Sequence, residues 1–357
     1  MKIVMAAGGT AGHMFPALEV ARNLRREGHE IMFIGVFKSS KRQLEDEGFA
    51  FKQLGAKGLQ CQGWIQDMFA VVSLVRTAFQ ARSLIKLLTP DVVVGFGGYG
   101  SFPAVCGGLM GGVPVIIHEQ NVMPGRANRL LARFVKKVAI SFPESRSFLS
   151  SDKVIITGCP IISKPSQGDS RLLRKAFNFS ADRKTILVFG GSQGSRRING
   201  VFPQCINMLS ARLPIQVIHV SGRGALAELQ KIYQAIDVPY RLFENYRPMA
   251  ELYGLADVVV CRAGAATVTE LVLFQKPAVL IPYPFAHGHQ AHNANVLVEN
   301  QVARMIPDGQ VTPEALAAAV TALLEHPPQC EKFSTLNSRL NIDHATGDLT
   351  REILTTV

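Results

Sequence analysis

The residues best suited to chemistry stand behind short glycine-rich stretches. His13 closes GGTAGH, residues 8–13, after the apolar run Ile3–Ala6 and ahead of a helix-like segment from Pro16. That order is a strand, loop and helix of the phosphate-binding kind, where backbone N–H groups at the helix start await an anion. A dinucleotide fold would place a third glycine where the histidine stands. A neutral imidazole is suited to take a proton from a hydroxyl near pH 7. Capping the helix or bonding the loop is the alternative role for His13.

Four further loops have the same look: Gly95–Gly100 (GFGGYG), Gly190–Gly194 (GGSQG), Gly222–Gly224 and Ala263–Ala266 (AGAA). Such turns are common in α/β folds, but their recurrence at strand ends points to phosphate contacts at more than one. Redox use of a dinucleotide is disfavoured. It needs an acid at the end of the second strand for the ribose hydroxyls, and neither IMFIGVFK (31–38) nor IQVIHVSG (215–222) has one. No Gly-Lys-Ser/Thr is present for a P-loop. An acid does follow a later loop: RAGAATVTE places Glu270 in the first turns of a helix, where it can accept both hydroxyls of a ribose. Stabilisation of that helix start, worth about 0.3–1 kcal/mol, is the plain alternative. His287, His289 and His292 have no carboxylate or cysteine beside them, so no metal site is expected.

These loops need a scaffold, and the chain supplies alternating strands and helices. Strands are expected near 2–6, 31–35, 91–95, 113–117, 135–140 and 153–157. In the second half they fall near 185–189, 215–220, 240–243, 256–260, 277–281 and 303–306. Runs such as DVVVG and PVIIH are apolar at consecutive positions, as parallel strands covered on both faces require. The class is therefore α/β with doubly wound sheets. KIVMAAGGTAGH at Lys2 and TILVFGGSQGSRRIN at Thr185 open the two halves alike, and GCPIISKPSQGD (158–169) between them reads as a linker. Two Rossmann-like domains facing a cleft follow, 1–160 and 161–335, with ligands at the carboxyl ends of the strands. Residues 336–357 are expected to be a terminal helix that packs back on the first domain.

The chain of 357 residues is 47% hydrophobic and 18% charged, a globular balance. Its six cysteines are scattered with no CxxC, which suits a reducing compartment. Strand-like residues from position 3 leave no room for a signal peptide, and no apolar run approaches the ~20 residues of a membrane span. A cytosolic protein is expected. The net charge of +11 is uneven: residues 1–160 hold 19 Lys/Arg against 11 Asp/Glu (net +8), residues 161–357 hold 19 against 16 (net +3). The first half thus attracts an anionic partner. Nucleic acid is disfavoured, because aromatic residues do not interleave with the basic ones. An anionic membrane surface is the other candidate. Trp64, Met68, Val72, Val75 and Phe79 recur at helical spacing with Arg76, Arg82 and Lys86 among them, and Phe69 adds to the patch. Core packing is expected to take most of these side chains. Arg126, Arg129 and Arg133 share one helical face, and no acid occurs between Glu119 and Glu144, so a basic rim round an apolar patch is expected to meet anionic lipid.

GGTAGHMFPALEVA, GFGGYGSFPA, HEQNVMPGRANRLLARF, GGSQGSRRIN, RAGAATVTE and HQAHNA occur in this order across both halves. Together they resemble the MurG family of bacterial peptidoglycan synthesis, over nearly the whole chain. The resemblance implies a glycosyltransferase B fold and inverting transfer of N-acetylglucosamine (GlcNAc) from UDP-GlcNAc. The acceptor would be the C4 hydroxyl of the muramyl sugar of lipid I, giving lipid II. Ser192 and Gln193 would cradle the diphosphate, with Asn199 behind them, and Ala265, Ala266 and Thr267 would line the donor sugar. Glu270 would hold the ribose, and Gln290 with His289 would meet the sugar hydroxyls. Thr10, Gly12 and Asn121 would reach the donor from the first domain. Gly9, Gly98 and Tyr99 would receive the acceptor diphosphate, and His13 would be the base, with Glu119 orienting or replacing it. No cofactor is implied. The location implied is peripheral, on the cytoplasmic face of the bacterial inner membrane, serving cell-wall synthesis, cell shape and division.

Two positions depart from the family pattern. Cys159 and Ile162 stand where an Asn and a diphosphate-binding Arg are usual, which predicts weaker UDP binding unless Arg196 or Arg197 substitutes. His287 replaces the usual acid before the HQ pair. Other readings are a UDP-sugar:diacylglycerol glycosyltransferase, a UDP-GlcNAc 2-epimerase, against which HEQN speaks, and a non-catalytic UDP-sugar-binding relative, which the missing Arg would favour.

Overall fold

The computed structural model describes residues 1–8, 11–37, 41–55, 64–149, 152–161, 169–285 and 288–357, without the side chains of 11, 64–71 and 169–170. Gly9, Thr10, Ile162 and His287 lie outside the described residues, as do the side chains of Trp64, Met68 and Phe69. The chain divides into two units, Met1–Ile161 with Leu340–Val357, and Ile162–Arg339.

The first unit is a parallel seven-stranded sheet. Its strands are β1 (Lys2–Gly8), β2 (Glu30–Val36), β3 (Ala50–Gln53), β4 (Val92–Gly95), β5 (Val115–Glu119), β6 (Lys137–Ile140) and β7 (Val154–Ile156), in the order β3-β2-β1-β4-β5-β6-β7. Around it run α1 (Ala11–Arg26), α2 (Lys41–Asp46), α3 (Trp64–Leu88), α4 (Phe102–Met110) and α5 (Arg126–Leu131). The second unit repeats the scheme with six parallel strands: β8 (Lys184–Phe189), β9 (Ile215–Val220), β10 (Tyr240–Phe243), β11 (Val258–Cys261), β12 (Ala278–Leu280) and β13 (Ala303–Met305). Their order is β10-β9-β8-β11-β12-β13. Its helices are α6 (Asp169–Ala176), α7 (Arg196–Ser210), α8 (Leu226–Tyr233), α9 (Met249–Leu255), α10 (Ala265–Leu273), α11 (His289–Glu299), α12 (Pro313–Glu325) and α13 (Cys330–Arg339). The last helix, α14 (Ala345–Leu354), returns to the first unit.

Strands β4, β5, β8 and β11 are buried almost throughout, as their continuous apolar runs require. In each sheet the strand order reverses beside the first strand, between β1 and β4 and between β8 and β11. The loops leaving those four strands carry most of the candidate residues, which is where a doubly wound sheet binds ligands. Leu349 and Ile353 of α14 are fully buried in one core with Met14, Leu18 and Ala21 of α1. Each such side chain contributes about 1.5–3 kcal/mol by burial, so the terminal helix is part of the first unit's core.

Four details differ from the sequence reading. Strand β3 was not foreseen: it is a short edge strand, exposed or half-buried along its length, and AFKQ has no apolar run to announce it. Helix α1 starts at Ala11, ahead of Pro16, which lies inside it. His13 is therefore a first-turn helical residue, not the closing residue of a loop. On α3 the side chains facing the core are Ala78, Ala81 and Ile85, while Val72, Val75 and Phe79 are 58%, 52% and 55% exposed. These three are not core residues. Finally, α5 ends at Leu131, so Arg126 and Arg129 are on it and Arg133 is beyond it.

Candidate active site

In the first unit the site is assembled by β1–α1, β4–α4 and the segment after β5. The half-buried His13 offers Nδ1 to Gln120 Oε1 at 2.8 Å. Gln120 Nε2 donates to the backbone oxygen of His118 at 3.0 Å and lies 2.9 Å from His118 Nδ1. His118 Nε2 donates to the Gly158 carbonyl at 3.0 Å. Burial pushes the His118 imidazole down to about 4, against the pull of that carbonyl, so it stays neutral across the physiological range.

Gly98 lies against the edge of the His13 ring. Its φ is +75°, and a Cβ there would sit 2.9 Å from His13 Cδ2 and 3.1 Å from Nε2. Glycine is thus required twice, by the left-handed backbone and by the imidazole. Tyr99 beside it is half-buried, and Gly12 is exposed in the first turn of α1.

The HEQN motif divides between two tasks, because successive side chains of a strand alternate in direction. His118 and Gln120 serve the His13 network. Glu119, only 1% exposed, accepts hydrogen bonds from Asn121 N (2.9 Å), Asn121 Nδ2 (3.2 Å), Gly125 N (3.0 Å) and Asn128 Nδ2 (2.9 Å). Glu119 therefore braces the segment from Asn121 to Asn128, and the side chain hydrogen-bonded to His13 is Gln120. Asn121 is folded onto Glu119 here.

In the second unit two loops meet backbone to backbone. A Cβ on Gly194 would lie 2.3 Å from the Ser221 carbonyl, and one on Gly222 would lie 2.2 Å from Gly194 Cα, so only glycines allow the approach. Asn199 Nδ2 donates to that same Ser221 carbonyl at 2.9 Å. Asn199 is buried, and its amide holds the loop from behind. Its Oδ1 faces His219 Nε2 at 3.1 Å, and Tyr233 Oη lies 3.0 Å from His219 Nδ1. Burial pushes His219 down to about 3. Ser192 and Gln193 are exposed at the tip, where the Gly194 N–H closes a turn on the Gly191 carbonyl at 2.9 Å.

Ser195 caps α7: its Oγ accepts the Ile198 N–H at 3.3 Å, and Arg262 Nη2 donates to it at 2.8 Å. Arg262 also donates to the carbonyls of Ile281 and Pro282 at 3.0 and 3.1 Å and pairs with Asp308 at 2.5 Å. Sequence reading passed over Arg262, which puts a largely buried cation at the helix start. Arg196 and Arg197 are exposed, and Arg197 Nε donates to the Asp308 carbonyl at 3.1 Å.

On α10, Ala265 is buried, Ala266 and Thr267 are half-buried, and Glu270 accepts the Tyr253 hydroxyl at 2.9 Å. Burial pushes the Glu270 carboxyl up to about 7, the hydroxyl pulling part of the way back. Gln290 Oε1 accepts from the backbone N–H of Ala263 (3.1 Å) and of Tyr283 (2.9 Å), so only its amide N–H groups are left to meet a ligand. Asn293, one turn on, donates to the Ala263 carbonyl at 3.1 Å. The spacing of Gln290 and Asn293 in HQAHNA puts both on one helical face, a signal that could have identified Asn293 as a brace of the AGAA loop. His289 opens α11 and is half-buried.

Residues 3–140 match the glycosyltransferase family 28 N-terminal domain and residues 185–344 its C-terminal domain. A UDP-N-acetylglucosamine–N-acetylmuramyl-(pentapeptide) pyrophosphoryl-undecaprenol N-acetylglucosamine transferase of Syntrophus aciditrophicus is 34% identical over 354 residues, spanning 98% of this chain and 97% of that protein. The chain belongs to the MurG family. The crystal structure of Acinetobacter baumannii MurG covers 99% of each chain at 27% identity, with a TM-score of 0.76. A Neisseria meningitidis UDP-GlcNAc 2-epimerase shares the fold alone, at 14% identity, a TM-score of 0.71 and coverage of 99% and 100%. As a MurG family member the chain has the glycosyltransferase B fold and is an N-acetylglucosamine transferase.

Proposed function

We propose that this chain moves GlcNAc from UDP-GlcNAc to the C4 hydroxyl of the muramyl sugar on undecaprenyl diphosphate, converting lipid I to lipid II. One pairing of observations carries the reading: a half-buried histidine at the start of α1, hydrogen-bonded to Gln120, in the unit matched by the N-terminal family domain, and a glycine-rich loop at the start of α7 in the unit matched by the C-terminal one.

In the reaction the acceptor hydroxyl gives its proton to His13 while its oxygen bonds to the anomeric carbon. The bond from that carbon to the phosphate oxygen breaks, and the electron pair leaves with UDP. Attack opposite the leaving group inverts the centre. The charge on departing UDP develops at Gly190–Ser195, beside the positive end of the α7 dipole. Ser192 and Gln193 line the diphosphate, Ala265, Ala266 and Thr267 the sugar, and Glu270 the ribose. Asn199 and Gln290 hold these loops, Gln290 also offering N–H groups to the sugar. Gly98, Tyr99 and Gly12 serve the acceptor side. No step requires a cofactor.

A lipid-linked acceptor supports work at a membrane surface, and we place the chain peripherally on the cytoplasmic face of the inner membrane, where a nucleotide-sugar donor is available. No helix among the described residues is long and apolar enough to cross one. The exposed Val72, Val75 and Phe79 stripe, together with exposed Arg126, Arg129 and Arg133, supports peripheral attachment to anionic lipid.

Incubation with labelled UDP-GlcNAc and a lipid I analogue tests the reading, with labelled disaccharide lipid as the expected product. Transfer only to diacylglycerol, conversion of the donor to its 2-epimer, or binding without turnover would each overturn it.

A further inference from the structure

The network behind His13 has a direction. Backbone carbonyls only accept, and two of them bound it. The Gly158 carbonyl requires the proton of His118 to be on Nε2, which leaves Nδ1 of that neutral ring as an acceptor. The His118 carbonyl requires the N–H₂ end of the Gln120 amide to face it, and the same end then serves His118 Nδ1. Gln120 Oε1 is thereby turned to His13 and can only accept, so His13 Nδ1 must hold the proton. The lone pair of His13 is left on Nε2, the ring edge next to Gly98.

We propose that Gln120 and His118 are positioning residues that fix His13 in its Nδ1–H tautomer and so keep Nε2 available for the acceptor's proton. The inference rests on the transferase reading of His13. Both residues are buried, at 2% and 0% exposure, so water does not compete for these bonds. The second unit offers the contrast. There Tyr233, His219 and Asn199 form a similar chain, but it runs from a buried tyrosine to the Ser221 carbonyl and is closed at both ends. The chain in the first unit is open at one end, and the open end is the half-exposed His13. An imidazole fixed by an acceptor on one nitrogen and left basic at the other is the arrangement of an oriented general base.

The test is nitrogen NMR of the full chain labelled in histidine, with turnover measured on the same variants. In the wild type at neutral pH, His13 is expected with Nδ1 protonated and Nε2 bare. Gln120→Leu keeps the volume and removes the acceptor. It should release the tautomer and lower kcat about 10- to 100-fold, with KM for UDP-GlcNAc unchanged within about twofold. Gln120→Glu restores the acceptor with a negative charge. It should hold the tautomer and move the acid limb of the kcat profile upward by about one pH unit or more. His13 found with Nε2 protonated in the wild type overturns the proposal. So does Gln120→Leu with an unchanged tautomer, whatever its kcat, because a packing defect would also slow turnover. If Gln120→Leu does not fold, an unmoved acid limb in Gln120→Glu overturns it. Absence of transfer by the wild type would instead remove the transferase reading, and the tautomer spectrum would still decide the network.

Discussion

At the scale of single residues, His13 is the proposed base for the acceptor hydroxyl. Replacing it with alanine removes the base and nothing from the donor-binding loops of the second unit. Turnover should fall about 10²–10⁴-fold, while calorimetry should find UDP-GlcNAc binding within about twofold of wild type. Near-normal turnover would end the base assignment. Glu270 makes a prediction with a definite sign. Its carboxyl ionises near 4.5 when unfolded and near 7 when folded. The stability it contributes is fully present below the lower value and is lost as pH rises through the higher one. The ionised carboxylate is the stronger acceptor for ribose hydroxyls, so UDP-GlcNAc affinity should strengthen with pH up to about 7, by at most about tenfold per unit. Glu270→Gln should flatten that dependence, and calorimetry across a pH series decides the matter. The sequence made His13 and Glu270 visible because each follows a small-residue loop at a strand end. It concealed Gln120, whose role is defined by a partner more than a hundred positions away. Arg262 was equally hidden, since its partners Ser195, Ile281, Pro282 and Asp308 come from separate loops.

At the scale of elements, the helix N-termini are the proposed binding elements, and their caps can be tested apart from the chemistry. Ser195 both caps α7 and receives Arg262, and alanine there leaves the Ile198 N–H and a guanidinium N–H without that partner. The change should cost about 0.5–2 kcal/mol, lowering Tm by a few degrees, and should weaken UDP more than it weakens the fold. Equal UDP affinity in Ser195→Ala would show that the α7 terminus does not hold the diphosphate. Every strand of the second sheet falls in a stretch expected to be one, although Tyr240–Phe243 and Ala303–Met305 each carry an arginine. Strand β3 was not legible, because an exposed edge strand needs no apolar run. The start of α1 was misplaced for a related reason: Pro16 reads as a first-turn residue, yet here it is a buried residue in the second turn of the helix. Tertiary packing on the first core outweighs the local preference.

At the scale of the molecule, two sheets with the same strand logic were readable from the alternation of runs and from the paired openings at Lys2 and Thr185. What covers each helix was not readable, because the period that places apolar residues on one face does not say whether that face meets core or solvent. On α3 this ambiguity has a functional outcome. Val72, Val75 and Phe79 are separated by three and four residues and all point outward, while Ala78, Ala81 and Ile85 take the core. Helix α3 and the segment after α5 pack on the same core, Ala81 and Ile85 with Leu131, Ala132 and Val135, so the apolar stripe and the exposed arginines lie on one side of the first sheet. An apolar stripe with cations should bind anionic vesicles through two separable contributions. Each arginine near such a surface is worth about 1 kcal/mol, so replacing Arg126, Arg129 and Arg133 with glutamine should weaken vesicle binding about 100-fold at low salt and remove most of its salt dependence. Val75→Glu with Phe79→Glu should also release the chain, while leaving Tm within about one degree because both side chains are already exposed. Binding that ignores salt, or survives both sets of substitutions, would assign membrane contact to another face of the molecule.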